Sequence, residues 1–229
     1  MRARRIAPGA AAAFVVAATA WALVQAVAAP TDRDRARVAG VPAAVAVEVD
    51  QGDVTVRAEE GRDAVAAEAD VRAVVAPDSE AVTEDGEARL SWRCRLWTTC
   101  RADLVARVPA GVDVRAETAF GDVVVLGPVG DVDLEAGSGE VRADAIGGSR
   151  ATVSARSGDV VLRFTAAPRE VEVEASSGDV TIRVPAGAYR IEAETGAGDV
   201  SLRGVRHDPD AGRSITVDTS AGDVRIAAS

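Results

Sequence analysis

Six acidic residues recur, each directly after one of a series of regularly spaced glycines. Asp122, Glu140, Asp159, Asp179, Asp199 and Asp223 follow Gly121, Gly139, Gly158, Gly178, Gly198 and Gly222. The glycines are spaced by 18, 19, 20, 20 and 24 residues. If the chain stacks at this period, the carboxylates form one column. Hard oxygen ligands in a column have the chemistry to hold Ca²⁺. They also have the chemistry of a turn, in which each Asp accepts backbone N–H bonds in its own corner. Like charges at strand spacing repel, so one of these must relieve them. The Gly-rich nonapeptide that binds calcium in other β-helices is absent. The expectation is therefore structural corners, with no metal and no cofactor.

Other catalytic constellations are missing. The sole histidine, His207, lies in the polar stretch RHDPDAGRS. No Ser/His/Asp spacing or phosphate-binding loop accompanies it. Sugar sites want stacking aromatics, and beyond the first 30 residues only Trp92, Trp97, Phe120, Phe164 and Tyr189 are available. The reading is a non-enzyme, with a polysaccharide-active β-helix as the remaining enzymatic alternative. The formal net charge is −10, and six Arg against two Asp in the first 37 residues leave −14 on the rest. Such a body is repelled by phosphate backbones and anionic lipid surfaces. No nucleic-acid partner is expected.

The N-terminus reads as an address. Arg2, Arg4 and Arg5 precede an apolar stretch from Gly9 to Val24, and Ala26-Val27-Ala28 forms an A-x-A pattern before Pro30. This is the layout of a secretory signal peptide. Residues 1–29 are equally long enough for an uncleaved membrane anchor. Either way the protein is placed outside the cytoplasm, secreted or held by a single helix, and meets the membrane only through residues 1–29. Residues 30–42 read as a polar linker. Cys94 and Cys100, the only cysteines, then read as a disulfide closing a tight hairpin or loop. Zinc needs about four ligands, which these two thiols and one remote His do not supply.

The elements that position the column follow from parity. Before each glycine, offsets −7, −5 and −3 are apolar or small, as in Val132, Leu134, Ala136 and Val171, Val173, Ala175. After it, offsets +2 and +4 are apolar, as in Val141, Ala143 and Val180, Ile182. Alternation marks half-buried strands. A straight strand cannot move its buried set from odd to even offsets without turning over. The Gly-Asp step must absorb that flip as a bulge or corner. Gly- or Pro-containing stretches such as PVGD (128–131) and IGGSR (146–150) close each unit on its other side. Two short strands per unit of this length predict an all-β solenoid. A sandwich of hairpins is the alternative. Gly52 marks an earlier unit of the same parity, so residues 43–110 read as capping strands around one atypical repeat, holding the disulfide with Trp92 and Trp97. Residues 111–229 are the repeat domain.

This pattern resembles the family of bacterial putative adhesins, exported β-strand-repeat proteins. The resemblance rests on the LVARVPAGVDVRAETAFGDVVVLGPVGDVDLEAGSGEVRADAIGG block and the Ser-Gly-Asp-Val units after it, and runs from about residue 40 to 229. It implies a β-repeat fold in the cell envelope and supplies no catalytic residues. It favours a non-catalytic, adhesin-like interaction module, with a membrane-anchored scaffold or sensor of envelope stress as the alternative. The candidate partner surfaces are an acidic column, including Glu117, Glu135, Glu174, Glu194 and Asp218, and an Arg stripe of Arg163, Arg183 and Arg203. The partner would be an envelope protein or polymer. The chain stops soon after its last corner, which predicts an exposed C-terminal edge available for self-association.

Overall fold

The computed structural model describes residues 31–95 and 100–229, and these contain strands and turns with no α-helix. The expected signal or anchor segment and Trp97 lie outside the described residues. The chain opens with β1 (Thr31–Ala39). Next come β2 (Ala44–Gln51) and β3 (Val54–Glu59), joined through Gly52-Asp53. β4 (Ala64–Ala73), β5 (Asp78–Glu84) and β6 (Glu87–Arg93) lead to β7 (Cys100–Pro109). The repeats supply β8 (Asp113–Phe120), β9 (Val123–Leu126), β10 (Val132–Ala136), β11 (Val141–Ile146), β12 (Arg150–Ala155) and β13 (Val160–Phe164). β14 (Glu170–Ala175), β15 (Val180–Val184), β16 (Ala188–Thr195) and β17 (Val200–Arg203) continue them. The two-residue β18 (Arg206–His207) precedes β19 (Ser214–Thr219) and β20 (Val224–Ala228).

These strands form two ten-stranded sheets. Sheet A runs β1-β4-β7-β3-β9-β11-β13-β15-β20-β17, and sheet B runs β18-β16-β19-β14-β12-β10-β8-β2-β6-β5. A rung is one strand of sheet B, a Gly-Asp corner and one strand of sheet A. Successive rungs stack in parallel and in register: Leu134 sits beside Val153, and Val160 beside Val180. Through the repeats, β8 to β20, the chain coils from sheet to sheet and does not run as consecutive hairpins; β5 and β6 form a hairpin in the cap.

The predicted parity is what fills the space between the sheets. Val132, Leu134 and Ala136 are buried on one side of the Gly139 corner, and Val141 and Ala143 on the other. The outward residues between them are polar or charged, which suits sheets with one wet face. Two large aromatic side chains, Trp92 and Tyr189, are fully buried. They lie near opposite ends of sheet B, on β6 and β16, and fill what Val and Ala are too small to close. The Tyr189 hydroxyl donates to the Pro185 carbonyl at 2.8 Å, and the Trp92 Nε1 donates to Asp34 Oδ2 at 3.0 Å.

Three expectations need correction. First, residues 31–39 are a strand, not a linker. β1 pairs antiparallel with β4, placing Arg33 opposite Asp70 and Arg35 opposite Glu68, and both pairs form ion pairs. The arginines that looked like part of a solvated tether are the outer face of an edge strand, while Asp34 turns inward to Trp92. Second, residues 43–110 hold more than the one atypical repeat expected, since 87–109 forms a further rung in register, with β6 paired parallel to β2 and β7 to β3. Its corner lacks Gly-Asp and is closed by the Cys94–Cys100 disulfide. The bridge therefore spans a sheet-to-sheet corner and not a hairpin. Third, chain order and stacking order differ. β19 lies between β14 and β16, and β20 between β15 and β17. The C-terminal strand is thus interior, and the free edge of sheet A at that end is β17.

Candidate functional site

The corner carboxylates form a ladder whose hydrogen bonds reach beyond each residue's own turn. Asp53 Oδ1 accepts the backbone N–H of Asp122, and Asp122 Oδ1 that of Glu140. Asp159 does the same for Asp179, Asp179 for Asp223, and Asp223 for Asp199, at 2.9 to 3.0 Å. The expectation that each Asp serves its own corner is corrected here: the acceptor belongs to one rung and the donor to the next. The reason is geometric, because stacked corners place successive amides a strand spacing apart. The step from Glu140 to Asp159 lacks the bond, since the extra methylene of Glu140 moves its carboxylate off the position an Asp carboxylate takes.

Charge repulsion along the ladder is relieved by these N–H bonds and, at two places, by arginine. Arg225 reaches Asp179 at 2.8 Å and Asp223 at 2.6 Å. Arg101 reaches Asp53 and Asp103, both at 2.8 Å. Two ladder members were not anticipated. Asp53 follows Gly52 in the same Gly-Asp-Val triplet and was legible. Asp103 has no glycine before it; Ala102 occupies that place and only the stacking reveals its role, with Asp103 Oδ1 accepting the Asp53 N–H at 3.1 Å. A shorter ladder runs along the Gly/Pro corners, where Asp113 Oδ1 accepts the N–H of Asp131 and Asp131 Oδ1 accepts those of Ser149 and Arg150. Among the described residues, no group of three or more His, Cys, Asp or Glu is arranged to hold a metal ion.

The Arg225 guanidinium, with the Asp223 N–H behind it, holds the Asp179 carboxyl below the ordinary aspartate range. A depressed native pKa stabilises the fold above the unfolded-state pKa, and that stability is lost as pH falls through the native value. Asp179→Ala is therefore expected to lower the melting temperature by a few degrees near neutrality. The difference from wild type should shrink in the acid range below about pH 4. Paired thermal melts across pH test this; a difference that persists undiminished in acid would refute it.

On the outer face of sheet B, the acidic column runs through seven strands and is interrupted once, by Ser154. Glu48, Glu117, Glu135, Ser154, Glu174, Asp218 and Glu194 are neighbours in that order. Arg93 pairs with Glu48 at 2.7 Å. Among the described residues no ion pair reaches Glu117, Glu135, Glu174, Asp218 or Glu194. Partial loss of water raises the Glu117 carboxyl above the usual glutamate range, and the carboxylates of Glu135 and Glu48 add to this. Glu135, Glu174 and Asp218, with Arg156, line a depression over Ser154.

The expected Arg stripe is not continuous. Arg163 and Arg183 are neighbours, but Ala227 separates Arg183 from Arg203. Reinsertion of β20 between β15 and β17 breaks the column. Arg163 is also held by Asp144 at 3.0 Å. His207 lies in β18, where its Nδ1 accepts the Ile191 N–H at 3.1 Å, so it covers the start of the β16 edge.

Two sheets built mainly from parallel, repeated rungs, with a Gly-Asp corner column between them, define a class of all-β repeat proteins. The chain belongs to the Toastrack (DUF4097) family, whose model matches residues 43–228. Among solved structures, a putative cell adhesion protein from Clostridium sporogenes matches with a TM-score of 0.56 at 15% identity, over 87% of this chain and 100% of that one. A putative adhesin from Bacteroides fragilis gives 0.41 at 13% identity, over 86% of this chain and 98% of its own. The first of these likenesses shows a shared fold. No curated protein matches the chain.

Proposed function

We propose that this chain is an exported, non-catalytic β-solenoid of the cell envelope that presents its flat charged face to a partner. The observation that carries the reading is the acidic column of sheet B. Five of its carboxylates lack an ion-pair partner within the described residues and are held at fixed strand spacing by the parallel ladder. A rigid row of like charge steers and registers a partner of opposite charge more than it stabilises the fold. The fitting partner is a cation-bearing envelope protein or polymer. The shared fold of the putative cell adhesion protein from Clostridium sporogenes agrees with this reading.

A second reading, a membrane-anchored scaffold or sensor, is favoured by one observation. β1, the first described strand, lies at one end of sheet A and β17 at the other. Ten strands at their usual spacing put those edges about 43 Å apart. A tether preceding β1 would hold one end near the membrane and leave the other outward.

The test is retention of envelope material by immobilised protein. Glu174→Gln with Asp218→Asn and Glu194→Gln is expected to weaken salt-sensitive retention on the order of tenfold, as for loss of a complementary charged patch. Retention unchanged by this triple variant, or turnover of an acidic glycan by the wild type, would overturn the reading.

A further inference from the structure

Sheet A ends on a strand whose chemistry is unfinished. One buried row runs Val123, Val141, Val160, Val180, Val224 and then Val200; the next runs Val125, Ala143, Leu162, Ile182, Ile226 and then Leu202. Every member before the last is fully buried, whereas Val200 is 43% and Leu202 41% exposed. β17 pairs with β20 on one side and, among the described residues, has no strand on the other. The remaining edges are protected in the usual ways, by charge or by brevity. β1 carries Arg33, Arg35, Asp32 and Asp34; β5 carries Asp78, Glu80 and Glu84; β18 is two residues long and polar. Among the described edge strands, β1 keeps its core-facing Val38 buried, whereas β17 leaves its core-row side chains Val200 and Leu202 open to solvent.

The sequence of that edge is self-complementary. In Asp199-Val200-Ser201-Leu202-Arg203, an antiparallel copy centred on Ser201 places Ser201 opposite itself, Val200 opposite Leu202, and Asp199 opposite Arg203. Residues directly opposite in an antiparallel pair share a face. The apolar pair therefore completes both core rows, and the charged pair lies outside. Asp199 is the last member of the corner ladder, with no further rung to donate to its carboxylate, and neither Asp199 nor Arg203 has an ion-pair partner among the described residues.

We infer that β17 is a homodimer interface, at which two copies join sheet A edge to edge about a two-fold axis through Ser201. The occupant is a second copy of this chain, because the charge pattern matches itself in one antiparallel register. The two core rows continue across the junction, and two Asp199–Arg203 ion pairs flank it. This inference is independent of the envelope partner proposed above and concerns a different face.

Cysteine cross-linking of the full chain in mild detergent tests it. Residues opposite one another on antiparallel strands have Cα atoms about 4.5–5.5 Å apart, within the range a disulfide spans. Ser201→Cys is expected to give a disulfide-linked dimer on oxidation. Thr181→Cys, on the same outer face but on the interior strand β15, should stay monomeric. In sedimentation equilibrium, Arg203→Asp should weaken the wild-type dimer on the order of tenfold or more, and Asp199→Arg combined with Arg203→Asp should restore it. A monomeric wild type, equal cross-linking by Thr181→Cys, capture of a different protein by Ser201→Cys, or association insensitive to charge reversal would each overturn the inference.

Discussion

Gly139→Ala is expected to cost roughly 4 kcal/mol or more, placing it among the exceptional single substitutions. A Cβ at this position would lie 2.0 Å from the Gly121 carbonyl oxygen, and the residue sits at φ +136°. Two penalties coincide there. The dihedral is one that side chains rarely adopt. The obstructing atom is backbone of the adjacent rung, which cannot rotate away. The same contact recurs up the stack: Gly158 meets Gly139, Gly178 meets Gly158, and Gly222 meets Gly178. A shift at one corner is therefore passed to its neighbours. Gly61→Ala separates the two penalties, because Gly61 has φ +72° and nothing within 4 Å of the added carbon. It should cost only about 1–2 kcal/mol, the ordinary left-handed penalty. Urea melts followed by circular dichroism compare them. Equal, small losses for both variants would show that the corners do not stack closely enough to demand glycine.

Trp92→Ala is expected to destabilise by about 3–5 kcal/mol, the range for removing a buried Phe or Trp. Trp92 is fully buried in β6 of sheet B, yet its indole N–H binds Asp34 of β1, which belongs to sheet A. It fills the core near its N-terminal end and ties the first described strand across that end. Trp92→Phe keeps most of the volume and removes the hydrogen bond, so about 1 kcal/mol should be lost. Limited trypsin digestion gives a second readout, since β1 carries Arg33, Arg35 and Arg37. Cleavage there should accelerate strongly in Trp92→Ala and slightly in Trp92→Phe. Trp92→Ala melting like the wild type, with β1 equally protected, would show that Trp92 does not close this end.

Much of the candidate site was legible because its chemistry is local. The Gly-Asp step, the switch of buried parity across it, and the alternation of Val132, Leu134, Ala136 against Asp133 and Glu135 are properties of a few adjacent residues. The disulfide was readable from two cysteines in a chain expected to be exported. Asp103 was not legible, because it joins the ladder only through Ala102 stacking on Gly52. β1 was misread because a strand that alternates Arg and Asp has the composition of a linker until Asp70 and Glu68 are placed opposite its arginines and Trp92 against Asp34.

By itself the sequence determined the rung: two short strands, a glycine corner, and a carboxylate column outside an Ala/Val core. The tertiary structure decided the order in which rungs stack. Every rung offers nearly the same row of small apolar residues, so on side-chain packing alone β14 accepts β19 as readily as β16. The connections break this degeneracy. The segment carrying β18 is long enough to pass the end of the stack and return β19 and β20 one place inward. That reinsertion splits the Arg163, Arg183, Arg203 stripe with Ala227 and buries the C-terminal strand. It also leaves Val200 and Leu202 at the open edge.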